Sequence, residues 1–250
     1  AEAVGYESEP YDALLDEYEP GARVQELLPV LAEVREGLTG LLERLAGSGI
    51  EIDTAPIHQS LPVVGQDRLC RRVLTDVGFD FEAGRMDTSA HPFTDGIAIG
   101  DVRLTTRYDP RDLRMGLYSA LHEGGHALYE QGLPAEYEGT PVASAVSLGI
   151  HESQSRLWEN QVGRNRPFLQ YCLAPLREIF PGQFDRISAD DLYRAVNRIS
   201  PSLIRIEADE VTYNLHIILR LEIERALLTG EIAVADLPEL WRSKMRTYLG

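Results

Sequence analysis

The chain has 250 residues, of which 44% are hydrophobic, 26% charged and 8% aromatic. This is the composition of an ordinary globular protein, and it excludes collagen-like chains, low-complexity disorder and small disulfide scaffolds. Asp and Glu number 40 against 24 Lys and Arg, so the net charge is -16. Because such a chain repels phosphate backbones and anionic lipids, and no basic patch offsets the excess, we expect neither a nucleic acid nor a membrane as a partner.

The two cysteines, Cys70 and Cys172, lie far apart and form no C-x-x-C pattern. This spacing favours two thiols packed as small hydrophobic groups over a disulfide or a metal site. No apolar run approaches the ~20 residues that span a bilayer. The acidic N-terminal segment also lacks the basic and apolar regions of a signal peptide. We therefore expect a soluble, cytoplasmic protein.

Helical periodicity dominates the chain, with one exception before its middle. Apolar residues at spacings of three and four predict a first helix over about residues 11–45, which Pro29 either begins or kinks. Residues 67–77 could form a second helix. Between residues 79 and 108, several glycines and short β-prone pieces predict a small antiparallel sheet instead. The predicted strands cover residues 84–89, 96–99 and 101–108.

After this segment the pattern becomes helical again. Asp109-Pro110 is a helix-start signal, since a capping residue is followed by a proline that suits the first turn. Five further segments have helical periodicity. They cover residues 142–160, 166–179, 189–199, 204–228 and 236–248. The sequence therefore predicts a mainly α fold with a small antiparallel sheet, in a single domain over residues 1–250.

The strongest chemical signal is the H-E-x-x-H motif His122-Glu123-Gly124-Gly125-His126. On a helix, four residues turn the chain by ~400°, so both histidines can reach one metal ion. Glu123 lies ~100° around the helix from His122, close enough to hold a metal-activated water without being a ligand. It would take the proton of that water as general base, and the hydroxide would attack a carbonyl. The alternative is a pair of solvent-facing histidines, which the partly apolar helix around them disfavours.

A catalytic zinc ion needs a third protein ligand and an open position. The run His151-Glu152-Ser153-Gln154 begins 25 residues after His126, on the next predicted helix. Two antiparallel helices would bring this run back to the metal. Glu152 is the predicted third ligand and His151 the alternative, while a solvated surface carboxylate is the other interpretation of Glu152.

Five short motifs together resemble the carboxypeptidase Taq family of zinc metallocarboxypeptidases, a resemblance that covers about residues 6–250. They occur in the following order: His-Pro-Phe (His91–Phe93), Asp-x-Arg-x-Thr (Asp101, Arg103, Thr105), H-E-x-x-H, His-Glu-Ser-Gln and Ile-Arg-x-x-Ala-Asp (Ile204, Arg205, Ala208, Asp209). The resemblance implies a helical H-E-x-x-H metallopeptidase fold and a cytoplasmic, homodimeric hydrolase. That enzyme would remove single residues from peptides with a free C-terminus, with broad preference. Its cofactor would be Zn²⁺, for which Co²⁺ or another divalent ion can substitute.

The resemblance also implies roles for particular residues. His122, His126 and Glu152 would be the metal ligands and Glu123 the base. Arg205 would bind the terminal carboxylate of the substrate, which suits a planar guanidinium, although an ion pair with a neighbouring acidic residue is the alternative.

Other motif residues would act at the substrate or behind the ligands. His91 would point at the substrate or the oxyanion, or be an ordinary loop histidine. Five more residues would orient ligands from behind. They are His151, Gln154, Asp101, Arg103 and Asp209. Asp101 and Arg103 could instead be a pair at the edge of a strand.

Members of this family are typically longer at both ends, with further N-terminal helices and a C-terminal G-x-x-Q-D-x-x-W motif followed by a tyrosine-bearing segment. We therefore expect a shortened form of the catalytic domain, in which transition-state contacts supplied by that C-terminal part are lacking. Removing one such donor typically lowers the rate on the order of 10²–10³-fold. The alternative function is a non-catalytic or weakly active zinc-binding module of the same fold, acting as a binding or regulatory protein or needing a missing segment.

Overall fold

α-Helices make up most of the structure, a computed structural model that describes every residue from Ala1 to Gly250. Their bounds are Pro10–Leu15 (α1), Val24–Ala46 (α2), Val63–Asp76 (α3), Leu113–Gln131 (α4), Leu148–Arg156 (α5), Arg166–Ile179 (α6), Ala189–Val196 (α7), Thr212–Thr229 (α8) and Leu237–Leu249 (α9). The predicted mainly α fold is confirmed. No helix is both long and apolar enough to cross a membrane.

The chain divides into two compact units. The first comprises Ala1–Glu51 and Arg198–Gly250, and the second comprises Ile52–Asn197. The second unit contains the sheet and helices α3 to α7, whereas the first contains α1, α2, α8 and α9. The assignment of residues 1–250 to a single catalytic domain stays a prediction.

Three strands form the sheet: Gly84–Thr88 (β1), Thr94–Ala98 (β2) and Asp101–Thr106 (β3). Their order is β1-β3-β2, with β3 in the centre. β2 and β3 form an antiparallel hairpin, while β1 pairs with β3 in parallel. The sheet is therefore mixed, which corrects the antiparallel sheet that the sequence predicted. The reason is that β1 pairs with the side of β3 that β2 leaves open and runs in the same direction as β3, opposite to β2.

Helix α4 is the central element of the second unit. One side of it packs on the sheet, where a small buried cluster contains Leu74, Met86, Val102, Leu104 and Ala127. Leu117 and Leu121 face a larger cluster built from α3, α6 and α7. Because α4 is buried on several sides, the H-E-x-x-H motif rests on a helix whose position is fixed by packing.

The core of the first unit lies between α2, α8 and α9. Leu215, Leu219 and Ile223 of α8 contact Met245 and Leu249 of α9. Partly buried residues of α2 pack against the same cluster, so the three helices enclose one apolar core.

The bounds of several predicted helices differ in the structure, and the differences are largest for three of them. The first is divided into α1 and α2 by a turn at Pro20-Gly21, where Gly21 adopts a φ of 84°, and Pro29 lies inside α2. The helix predicted from residue 204 begins at Thr212. The helix predicted over 142–160 begins at Leu148 and changes into a π-helical turn over Leu157–Val162.

Candidate metal centre

Three side chains of the second unit converge at the predicted metal site. Nε2 of His126 lies 3.2 Å and Nε2 of His122 lies 3.7 Å from Oε2 of Glu152. One ligand atom from each residue lies within 4.8 Å of the others, so the three could hold one metal ion. In a tetrahedral zinc site with bonds of ~2.0–2.1 Å, ligand atoms stand roughly 3.3 Å apart. The donor set of two imidazoles and one carboxylate, and its spacing, therefore fit a zinc ion.

Gly125 allows Glu152 to reach the two histidines. A Cβ atom at Gly125 would lie 2.5 Å from the carbonyl oxygen of Gln154 and 2.6 Å from Cα of Ser155. The backbone of α5 thus passes directly over the H-E-x-x-H turn, where only glycine leaves room. Ser147 starts α5 by accepting a hydrogen bond from the backbone N–H of Ile150, which sets the helix register that points Glu152 at α4.

Hydrogen bonds behind each imidazole orient its Nε2 atom toward the site. Nδ1 of His122 lies 2.8 Å from Oε2 of Glu159, and Nδ1 of His126 lies 2.5 Å from Nδ1 of His151. Nε2 of His151 lies 2.6 Å from Oε1 of Glu130. Since the carboxylates only accept, we assign an Nδ1–H to His122, an Nε2–H to His151 and an Nδ1–H to His126. Both ligand histidines then present an Nε2 lone pair to a cation, as metal binding requires.

The charges around the site favour a cation. Burial tends to raise the pKa of Glu159, but the hydrogen bond from His122 and the charges of Arg164 and Arg156 lower it to about 2. Burial likewise tends to raise the pKa of Glu152, and the two histidines outweigh it, so that pKa lies below its ordinary value. Both carboxylates are therefore ionised at neutral pH. These two negative charges would favour the binding of a divalent cation by the three converging side chains.

Glu159 is a residue of this site that the sequence analysis missed. Its carboxylate also accepts hydrogen bonds from Arg156 at 3.0 Å and from Arg164 at 3.3 Å, and the guanidinium of Arg164 stacks over the ring of Tyr118 at 4.3 Å. The π-helical turn places Glu159 against His122, and such turns recur at functional sites. No local signal marked Glu159 in the sequence, apart from its spacing of seven residues from Glu152, which puts both on one helix face.

Glu123 follows His122 in the chain and is almost completely buried, with 7% of its surface exposed. Oε2 of Glu123 lies 2.8 Å from Oγ1 of Thr94, at the start of β2. Glu123 does not belong to the group of three residues whose ligand atoms converge.

Comparison with known proteins agrees with this geometry. The profile of the carboxypeptidase Taq (M32) metallopeptidase family matches residues 1–250. This chain belongs to that family. It is 55% identical over 242 residues to thermostable carboxypeptidase 1 of Thermus thermophilus, covering 97% of this chain and 47% of the relative. It is 46% identical over 246 residues to carboxypeptidase 1 of Bacillus subtilis, covering 98% and 49%.

Solved structures of M32 carboxypeptidases have the same fold. The enzyme from Deinococcus radiodurans superposes with a TM-score of 0.94 at 43% identity, covering 98% of this chain and 49% of that one. The Pyrococcus furiosus carboxypeptidase, solved in a form described as Apo-Mg, gives 0.92 at 42% identity, covering 100% and 50%. The chain thus spans about half the length of the M32 relatives it matches.

Four other M32 motif residues of the second unit form hydrogen bonds with groups outside the three converging side chains. They are His91, Gln154, Asp101 and Arg103. His91 is exposed, and its Nδ1 lies 2.8 Å from the carbonyl oxygen of Pro92. Nε2 of Gln154 donates a hydrogen bond to Oγ of Ser153 rather than to one of the predicted metal ligands. Arg103 donates two hydrogen bonds to Asp101 on the same strand, and both side chains are largely exposed. This favours the strand-pair interpretation of Asp101 and Arg103 over a role behind the ligands.

The Ile-Arg-x-x-Ala-Asp motif lies in the first unit. Nη1 of Arg205 donates a hydrogen bond to the hydroxyl of Tyr213 at 3.0 Å. This bond restricts the orientation of the guanidinium. Asp209 accepts hydrogen bonds from the backbone N–H groups of Val211 and Thr212 at the start of α8. Its carboxylate therefore caps this helix, a structural role that the sequence analysis did not consider. Substrate binding by Arg205 stays a prediction.

Proposed function

We propose that this chain is the catalytic part of a zinc-dependent metallocarboxypeptidase that hydrolyses the C-terminal peptide bond of peptides with broad side-chain preference. The observation that carries the proposal is the convergence of Nε2 of His122, Nε2 of His126 and Oε2 of Glu152. Membership of the M32 family supports the reaction type. Zinc is favoured over other divalent ions because two imidazoles and a carboxylate are its usual catalytic ligands.

The residues of the second unit would divide the chemistry between them. His122, His126 and Glu152 would hold the ion, which when bound lowers the pKa of a water and polarises the scissile carbonyl. Glu123 would take a proton from the attacking water as the new C–O bond forms. It would then give that proton to the amide nitrogen as the C–N bond breaks, so a carboxylic acid and a free amino acid leave.

Recognition of the substrate's end is assigned to Arg205, with His91 directed at the substrate or the oxyanion. A guanidinium forms two parallel hydrogen bonds with a carboxylate, and its contact with Tyr213 would preserve its orientation. We also propose a cytoplasmic homodimer without nucleic-acid or membrane partners. Two free, buried cysteines suit a reducing compartment, and the net charge of -16 opposes binding to anionic polymers.

The proposal is tested with two matched peptides, one with a free C-terminal carboxylate and one with a C-terminal amide. Each is incubated with the zinc-loaded protein, and released products are identified by mass spectrometry. We expect stepwise release of single residues from the free acid alone. Internal cleavage would point to an endopeptidase, and no cleavage of either peptide with tight zinc binding would point to a non-catalytic zinc module.

Two variants assign the roles of the proposed residues. Glu123→Gln should abolish turnover while zinc stays bound, since the amide cannot take a proton. Arg205→Ala should reduce the preference for the acid over the amide, whereas Arg44→Ala, a change at an exposed arginine of α2, should preserve it. Retained turnover in Glu123→Gln, or an unchanged acid preference in Arg205→Ala, would contradict the respective assignment.

A further inference from the structure

Thr94 is the one residue of β2 whose side chain is partly buried, since the four residues after it are exposed. Its Oγ1 lies 2.8 Å from Oε2 of Glu123 and 2.9 Å from the backbone oxygen of the same residue. A threonine hydroxyl has a single proton, and a carboxylate is a stronger acceptor than a peptide carbonyl. The carboxylate of Glu123 is therefore the preferred partner.

The Glu123 carboxylate accepts a side-chain hydrogen bond from Thr94 alone. No other side chain donates to its carboxylate, so Oε2 is held by Thr94 while Oε1 has no protein donor. Without the hydroxyl, the carboxylate group could rotate and exchange its two oxygens. With it, one oxygen is fixed and the other is left for a water, which is the geometry a general base needs.

The backbone around Thr94 is itself well supported. Thr94 pairs with Leu104 of the central strand β3, which packs on α4. Just before it, the backbone N–H of Phe93 donates a hydrogen bond to Oγ1 of Thr105 at 3.0 Å. Because strand pairing and this hydrogen bond fix the backbone at Thr94, its hydroxyl can restrain the Glu123 carboxylate more tightly than a hydroxyl on a flexible loop could.

We infer that Thr94 is a positioning residue that orients the Glu123 carboxylate for proton transfer, an inference that rests on the proposed function. It acts through Glu123, since both hydrogen bonds of its hydroxyl go to that residue and not to the metal group. Its removal should therefore lower kcat while metal affinity and KM stay near those of the parent. A purely structural role, through the bond to the Glu123 carbonyl, would lower thermal stability alone.

The first experiment identifies the acceptor without using activity. Thr94→Val, Glu123→Ala and the double variant are compared by thermal unfolding, with and without saturating zinc. Thr94→Val should lower the Tm by about 3–6 °C in the parent. It should lower the Tm by less than about 2 °C when Glu123 is alanine, because the carboxylate partner is already gone. Equal shifts in both backgrounds would assign the hydroxyl to the backbone carbonyl and overturn the inference.

The second experiment measures kcat, KM and zinc affinity for release of the C-terminal residue. Thr94→Val should lower kcat on the order of 10-fold, and Thr94→Ser should restore most of it because the hydroxyl is kept. Thr106→Val is the matched control, since its hydroxyl donates to the carbonyl of Gly116 on the same helix and not to Glu123. The visible spectrum of the Co²⁺-loaded protein should be the same in all variants, because the ligands are untouched.

The outcomes separate this inference from the proposed function. If the parent and Thr106→Val release the residue and Thr94→Val does so equally well, the positioning role is wrong and the proposed function stands. A fall in kcat that is matched by lost zinc affinity would also overturn it, since the change would then act on the metal group. If the parent releases nothing, the proposed function fails, and the unfolding experiment alone decides whether Thr94 holds the Glu123 carboxylate.

Discussion

Glu159 accepts a hydrogen bond from Nδ1 of His122 at 2.8 Å, on the side of the ring opposite the metal group. The carboxylate is fully ionised because its pKa lies at about 2. It therefore fixes the proton on Nδ1 and increases the electron density available at Nε2. This bond connects the π-helical turn after α5 to the H-E-x-x-H helix, so the segment that carries Glu152 also orients one of the two imidazoles.

Glu159→Gln should weaken zinc binding by about 10–100-fold, because the neutral amide can accept the hydrogen bond but supplies no charge. The affinity is measured by competition with a chromogenic chelator, below the unfolding temperature of both proteins. Glu178→Gln, at an exposed position of α6, is the control and should bind zinc as the parent does. Equal affinities for the Glu159 variant and this control would show that Glu159 has no part in metal binding.

Zinc should stabilise the protein through the three ligands. At a free zinc concentration of 100 times Kd, binding adds about 2.7 kcal/mol to the free energy of unfolding, or roughly 5–10 °C in Tm. Differential scanning calorimetry with zinc and with EDTA gives this shift. Ca²⁺ should give none, since it prefers sites made of oxygen ligands. In Glu152→Gln the zinc-dependent shift should fall sharply, and a shift of undiminished size would remove Glu152 from the ligand set.

Gly125→Ala should disrupt the approach of α5 to α4. The new methyl group would meet the carbonyl oxygen of Gln154 and Cα of Ser155, both of which belong to the backbone and cannot turn away. We expect a loss of about 1–3 kcal/mol in unfolding free energy, typical of overpacking, together with weaker zinc binding as Glu152 moves. Urea unfolding and chelator competition measure the two effects.

Gly37→Ala is the matched control for this change. Gly37 lies in the middle of α2, and a Cβ atom there would meet no other atom within 4 Å. The same substitution should therefore stabilise the protein by about 0.4–1 kcal/mol, since alanine favours the helix and restricts the unfolded chain. If both variants changed stability alike, the close approach at Gly125 would not be the cause.

Local spacing predicted the two histidines of the converging group, and it offered Glu152 as the third member with His151 as the alternative. The separation of His122 and His126 by four residues depends only on the helical period, and the run containing Glu152 lies on the next helix. Glu159 and Thr94 could not be found in this way. The first depends on a π-helical turn that shifts the helix register, and the second contacts a residue 29 positions away through the packing of β2 on α4.

The errors in the predicted elements have equally specific causes. The apolar periodicity that predicted a helix from residue 204 buries Leu215 and Leu219 within α8, whereas Ile204 is exposed. The Asp209 side chain accepts hydrogen bonds from the N–H groups that begin α8, so the helix starts after it. For β1, a short β-prone segment predicted a strand and said nothing of its partner. Strand pairing is a non-local choice, and here it placed β1 beside β3 in parallel.

Acid should destabilise the first unit through Glu222. Burial tends to raise the pKa of this carboxylate, but hydrogen bonds from Lys244 and Tyr248 and the charges of Lys244 and Arg35 outweigh it, so the pKa lies below its ordinary value of 4.5. The contribution of Glu222 to stability is therefore present above pH 4.5 and is lost as the pH falls through the folded-state pKa. Glu222→Gln should cost about 1.5–3 kcal/mol at pH 7 and should lose less stability than the parent on acidification. Urea unfolding at pH 7, 5, 4 and 3 measures both quantities. If the free energy of unfolding fell with pH in parallel for the two proteins, another group would be responsible for the acid sensitivity.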